Sequence, residues 1–414
     1  MPASLPCTFA EPERNFTLGQ SMSKQLSFTT LSKVVSQSPA VLYSAKLQPT
    51  AGVGTKVFPS SHPSEQDGEP NIYASEKRRI GGEDVPCVIV DSVQSQANRI
   101  ETAIAEIRKA GMVEFPALEV DLTEYGHGVV STLELPHRAA DAYLEHGKLD
   151  GKPFASTELC KDLRSATPRD CSSLFGVDPV SLLFGCWFSR GNSTGMGRFS
   201  RMITSEMVAI NSIQGVRGSS RLDPFRTDTG GEKVEEEALA KSETTQSGKL
   251  KVSELGFGNI KPTINSTGGV TCDHVLQNAT ITFSGLRRLS FGSDAKANQA
   301  GRVVLASLGL VGLEAMLADG VWLRSGCDLY AVESTKSIVA GDEFELDLDS
   351  AIELFGKAVE EAAKCGLKFE TPIILTGDSP LLADLLFGKN KPSGTREPKA
   401  TKQKKAAKKK GGKK

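Results

Sequence analysis

The sequence predicts an α+β chain built on one sheet with large insertions, and three observations carry that prediction. Residues 40–48 alternate, with Val41, Tyr43, Ala45 and Leu47 on one face, the period-2 pattern of a half-buried strand. A short apolar run at 88–90 leads into Ala97, Ile100, Ile104 and Ile107 at helical spacing. Residues 296–318 are small and apolar almost all round, as a buried helix requires, and an alternating stretch at 321–332 follows them. The order strand, helix, strands, helix, strand suggests a split βαβ (ferredoxin-like) sheet whose insertions form extra lobes.

Residues 1–32 are Ser/Thr-rich with weak periodicity and read as an N-terminal appendage to a domain over 33–388. The segment 77–86 is a basic cluster, with Arg78 and Arg79, running into a glycine turn. Asp91 or Ser92 is the expected N-cap of the first long helix, and Gly111 its end. Ser92, Gln94, Gln96, Asn98 and Arg99 open that helix. A helix N-terminus offers free N–H groups and partial positive charge to a phosphate, so these five are candidate phosphate contacts; capping and a solvated first turn is the competing reading. Residues 113–135 read as strands and turns. Residues 138–175 read as helix and loop, with a basic run at 161–169. The polar segment 227–252 reads as a mobile insertion. A strand through Ala279, Ile281 and Phe283 ends near Arg287 and Arg288, two more basic candidates. The stretch 321–332 reads as one strand with Val321, Leu323, Ser325, Cys327, Leu329 and Ala331 on one face. Ser350 and Glu353 match a capping box for a last helix.

At 414 residues, 39% hydrophobic and 24% charged, the chain has the composition of a globular protein with a large core. The net charge of −1 hides segregation: residues 389–414 carry twelve Lys/Arg and one acid, so the rest carries about −12. This lysine-rich tail has no foldable pattern and reads as disordered, either a solubility tail or a nonspecific nucleic-acid tether. Eight scattered cysteines without C-x-x-C indicate reduced thiols and a cytoplasmic location. No apolar run suggests a membrane span of ~20 residues, and no secretory signal is visible.

The chemistry concentrates in residues 182–226. They hold Arg190, Arg198, Arg201, Arg217, Arg221 and Arg226, no lysine, and only Glu206 and Asp223 as acids. Arginine presents a rigid five-donor fork that matches phosphate oxygens. The interspersed glycines let backbone approach a ligand closely. Arg198 and Arg201 are expected on a strand, and Arg217 and Arg221 in a turn around Gly218. A solvated surface pairing with nearby acids is the competing reading. Residues 191–195 match the G-x-S-x-G hydrolase elbow around Ser193, but no helical stripe follows and nothing positions His274 or Asp228 as partners. Residues 51–57 lack phosphate-loop spacing, and the five histidines show no metal-ligand spacing. No cofactor or metal is expected. Aromatics are only 6%, so binding should lean on phosphate and sugar rather than base stacking.

Three segments together resemble one family: residues 79–101 (RIGGEDVPCVIVDSVQSQANRIE), the run LLFGCWFSR ending at Arg190, and GFGNIKPTINSTGGVT with the strand to LSF. The chain resembles the backbone subunit of type I CRISPR Cascade complexes, Cas family seven of the RAMP superfamily, in the form found in subtype I-G (formerly I-U). The resemblance covers roughly residues 38–388. It implies an RRM-like palm with inserted finger and thumb lobes. It also implies copies stacked along one CRISPR RNA beside other Cascade subunits, with guide bases left free to pair with target DNA. The expected protein is a nonenzymatic antiviral scaffold. An endoribonuclease of the same superfamily, processing CRISPR RNA, is the alternative, and a serine hydrolase comes third.

Overall fold

The computed structural model describes residues 24–64, 71–189, 197–225, 233–235, 249–251, 260–265, 267–318 and 320–387. Helix α1 (Phe28–Gln37) leads into strand β1 (Ala40–Pro49). The hairpin β2 (Ser75–Ile80) and β3 (Glu83–Asp91) precedes α2 (Val93–Lys109). A second lobe holds β4 (Leu118–Asp121), β5 (Val129–Ser131), α3 (Glu158–Ser165), α4 (Ser172–Val177) and α5 (Pro179–Phe184). The short pair β6 (Cys186–Trp187) and β7 (Arg198–Phe199) leads to β8 (Ile203–Ile210). Strands β9 (Arg217–Arg221) and β10 (Ile260–Asn265) form a ribbon that returns to β11 (His274–Thr282). The chain closes with α6 (Ala295–Ala318), β12 (Val321–Arg324), β13 (Cys327–Ile338), α7 (Leu348–Lys364) and β14 (Ile373–Thr376).

Seven strands make one antiparallel sheet in the order β12-β13-β1-β11-β8-β3-β2. Its four central strands run β13-β1-β11-β8, with α2 between β1 and β8 and α6 between β11 and β13. The β2–β3 hairpin enters before α2 and extends one edge, and β12 extends the other. A smaller sheet joins the chain's two halves through the parallel pairing of β14 with β4. The protein is therefore α+β.

Helix α6 is the core element. From Val303 to Ala315 every residue is buried. By length and composition it could cross a bilayer, contrary to the sequence expectation that no run comes close, but 78% of its apolar window is buried inside the protein. It packs on α1, α2 and α7. Gly312 sets the distance to α2: a Cβ there would lie 2.7 Å from Ile100 Cγ2 and from Ile104 Cδ1. The α2 stripe of Ala97, Ile100, Ile104 and Ile107 is buried as its spacing predicts, and Ser92 caps the helix by accepting the Ser95 N–H.

Four expectations are corrected. The stretch 321–332 is a hairpin, not one strand: Arg324 pairs with Cys327 across a turn where Gly326 takes a positive φ of 73°. The apolar alternation misleads because a two-residue turn preserves parity, so Val321, Leu323, Cys327 and Leu329 are all buried. Asp347, not Ser350, caps α7, accepting the Ser350 N–H at 2.8 Å. The boundary at residue 32 falls inside α1, whose Leu31, Val34 and Val35 are buried. Residues 217–221 are a strand, not a turn, paired with β10. The expected insertion 227–252 contributes the paired strands Lys233–Glu235 and Lys249–Lys251. Its remaining residues, most of residues 1–32 and the tail 389–414 lie outside the described residues.

Asp178, fully buried between α4 and α5, joins three segments of the second lobe. Thr132 Oγ1 and Ser181 Oγ donate to its carboxylate at 3.0 and 2.5 Å, and Ser181 Oγ accepts the Ala139 N–H at 3.1 Å. Burial pushes this carboxyl up to about 7, against the pull of both hydroxyls. The folded protein thus holds the proton more tightly than the unfolded chain. The associated stability is complete in acid and is lost as pH rises from about 4 through about 7. Asp178→Asn removes this titration. Measured by urea unfolding, the variant should gain on the parent by roughly 3–4 kcal/mol between those two pH values. Gly312→Leu should overfill the α2–α6 contact and lower unfolding free energy by about 1–3 kcal/mol or more, read as a drop in Tm.

Candidate nucleic-acid interface

The arginine stretch begins where α5 ends. Gly185 turns the chain with a φ of +84°, and a Cβ there would sit 2.8 Å from the Phe199 carbonyl oxygen and 2.9 Å from the Arg201 nitrogen. No side chain fits that approach, so the glycine brings β6 against the segment 199–201. Strands β6 and β7 pair Cys186 with Phe199 and Trp187 with Arg198. Cys186, Phe188 and Phe199 are buried and anchor the pair, while Trp187 stays 57% exposed. The Arg198 guanidinium lies 5.5 Å from the Trp187 ring centroid, within cation–π range.

This pair borders a cleft of about 910 Å³ that also takes in Gln94, Arg138, Arg164 and Arg201. Its floor is an unbalanced charge cluster. Arg138 holds the buried Glu101 carboxylate with two nitrogens, at 2.5 and 2.8 Å, and donates to the Gly185 carbonyl at 3.0 Å. Burial raises the Glu101 pKa, opposed by Arg138 and then by Arg201. Arg201 donates to the carbonyls of Phe184 and Val93 at 3.4 and 3.3 Å. Its own pKa is lowered by burial and by Arg138. Arg138 alone pairs with this carboxylate, and Arg201 adds a second positive charge that acts on it without a direct bond. Arg164 pairs with Glu145 at 2.9 Å, and no acid partners Arg198 among the described residues. The excess positive charge faces the cleft, where an anion would be stabilised.

The structure divides the sequence candidates. Gln94, Arg198 and Arg201 converge on the cleft. Arg217 and Arg221 lie exposed on β9, and Arg217 stacks over Phe58 at 5.7 Å. Arg288 and Asn98 are exposed, with no side-chain partner among the described residues. Ser92 is a helix cap. Gln96 is corrected: it is 0% exposed and closes a network with Asp91, Ser205 and Gln277, so no atom reaches a ligand. Arg99 pairs with buried Asp91 at 2.9 Å and donates to the Leu323 carbonyl. Arg78 is held by Glu206 and Glu76, and its pKa is raised first by the Glu206 hydrogen bond. Arg79 pairs with Asp84 at 2.8 Å. Arg287 fastens the end of α1 by donating to the Val35 and Ser38 carbonyls. Arg190 and the 191–195 motif lie outside the described residues. No group of three or more His, Cys, Asp or Glu that could hold a metal ion occurs among the described residues.

Sequence reasoning misses Trp187, Arg138 and Arg164. Only Arg164 carries a signal, as part of the basic run at 161–169. Arg138 adopts a positive φ of 51°, which nothing in its neighbouring residues announces.

Residues 41–213 match the family described as CRISPR-associated protein GSU0053 (Cas_GSU0053). No curated protein matches the chain. The match runs from β1 to the root of the β9–β10 ribbon and contains every cleft arginine, together with Trp187. Over this region the chain is similar to that CRISPR-associated family, which supports a Cas subunit of a type I-U system.

Proposed function

We propose that this chain binds CRISPR RNA as a nonenzymatic backbone subunit of a type I surveillance complex. Copies of it would line the guide beside other Cascade subunits and leave the bases free to pair with target DNA. The observation that carries the reading is the cleft in which Arg138, Arg164, Arg198 and Arg201 outnumber their paired acids Glu101 and Glu145. A phosphodiester backbone is the polyanion such a fork-lined cleft suits. The strand order supports the same reading. Numbered along the chain, β1, β8, β11 and β13 lie in the order 4-1-3-2 with a helix after the first and third, the arrangement of an RRM-like palm. The β9–β10 ribbon, with exposed Arg217 and Arg221, suits a thumb that follows the guide out of the palm.

One observation favours a second reading, an RNA-processing endoribonuclease: exposed His137 lines the same cleft. A histidine among arginines is the minimum for metal-free general acid–base cleavage of RNA. Incubating the pure protein with repeat RNA in chelator should leave the RNA intact. Specific products that disappear in His137→Ala would establish the enzyme instead.

The scaffold reading makes a salt-dependent prediction. Removing one phosphate-binding arginine should reduce the slope of log affinity against log salt by roughly 0.7 for a single strand. Arg198→Ala with Arg221→Ala should weaken binding of guides of any sequence alike, lower the slope by about 1.4, and leave Tm nearly unchanged. Arg287→Ala should do the reverse, lowering Tm through the freed α1 end with the salt slope intact.

A further inference from the structure

We propose that Trp187 is a stacking platform for one nucleobase of the bound RNA, a role that rests on the cleft being the RNA site. Phosphate binding alone does not explain this residue. The indole stays 57% exposed although its neighbours Cys186 and Phe188 are buried. Burying it would remove a large apolar surface from water. The fold instead holds the ring in solvent at the edge of an arginine-lined cleft.

Three features keep it there. Gly185 permits the turn into β6. Trp187 and Arg198 stand opposite each other across the β6–β7 pair, and the guanidinium over the ring fixes the indole orientation. The Phe188 N–H then closes the pair by donating to the Gly197 carbonyl at 2.9 Å. The ring is thus ordered before any ligand arrives, which lowers the entropy lost on binding. A planar, uncharged or weakly polar group meets the exposed indole. Its attached anion meets Arg198, Arg201 and Arg164. A nucleotide unit of single-stranded RNA carries both parts at the required proximity. Every base has a π-face, so such a platform holds one base without reading its identity. The site therefore grips base and phosphate together, although aromatic residues are only 6% of the chain.

The chain contains two tryptophans, Trp187 and Trp322, so Trp322→Phe leaves Trp187 as the sole indole reporter. This protein is titrated with a fluorescein-labelled single-stranded oligouridylate and with an abasic oligomer of the same length. Label anisotropy reports binding, and indole emission of unlabelled samples reports stacking. Both oligomers should bind, and only the base-bearing one should quench or shift the Trp187 emission. Adding Trp187→Ala should weaken oligouridylate roughly tenfold and leave the abasic oligomer and the salt slope unchanged. Trp187→Phe should keep most of the affinity. Full binding of oligouridylate with unmoved emission would overturn the platform while the cleft reading stands. Equal weakening of both oligomers by Trp187→Ala would also overturn it, reducing Trp187 to a support for Arg198. A Trp187→Ala effect on self-association alone would assign the ring to a protein interface. Binding of neither oligomer would sink the cleft reading itself, and the platform with it.

Discussion

The cleft depends on one buried carboxylate. Glu101 sits on the inner side of α2 at 2% exposure, where an uncompensated charge would be destabilising by several kcal/mol. That constraint forces a partner. Arg138 answers from the second lobe with a two-nitrogen grip, and its remaining nitrogen fixes the Gly185 carbonyl. One residue thereby ties together α2, the 136–141 segment and the turn that launches β6. Arg138 makes this grip from a positive φ of 51°, a conformation L residues other than glycine rarely adopt. Without the carboxylate, Arg138 would lose the partner that holds it beside the Gly185 turn, where the arginines gather.

The same device recurs at the start of α2. Asp91, also 2% exposed, accepts from Gln96, Arg99 and Arg324. In each cluster two guanidinium charges act on one acid: Arg99 and Arg324 both reach Asp91, while Arg138 binds Glu101 and Arg201 acts on it by charge alone. Sharing leaves a pair of arginines rigidly placed yet not neutralised, which is the state a preorganised anion site requires. Arg78, Arg79 and Arg287 stand outside these clusters: Arg78 and Arg79 have acids of their own, and Arg287 has the Val35 and Ser38 carbonyls. Composition cannot tell these two uses apart, since both look like arginine beside glycine.

Legibility follows from how local each determinant is. The α2 stripe, the Ser92 cap, β1 and the buried α6 are visible because their signals lie within one turn or one strand. The hairpin at 321–338 escapes because a two-residue turn keeps the alternation in phase. Gln96 looks like a phosphate ligand because its position in the first turn of a helix is local. Its burial is not, being imposed by Ser205 and Gln277 on strands more than 100 residues away. Arg138 and Arg164 are illegible as site residues for the same reason. They join Arg198 and Arg201 only once the 110–180 segment is folded against the start of α2. Trp187 is hidden by an average: a low aromatic fraction says nothing about where a single exposed ring is placed.

These arrangements also bear on why such a surface would grip without reading. Donors aimed by buried acids and carbonyls make poor detectors of base edges, because their forks are fixed before a ligand arrives and match the invariant phosphate geometry. An exposed indole beside them adds a surface for the π-face common to all four bases. A protein that recognises only what every nucleotide shares must leave sequence discrimination to another molecule, and base pairing by the held strand is the discrimination that remains available. The rigidity conferred by Glu101 and Asp91 then has a second consequence. A strand held on fixed points loses conformational freedom once, on loading, so a later complementary strand pairs with bases already ordered.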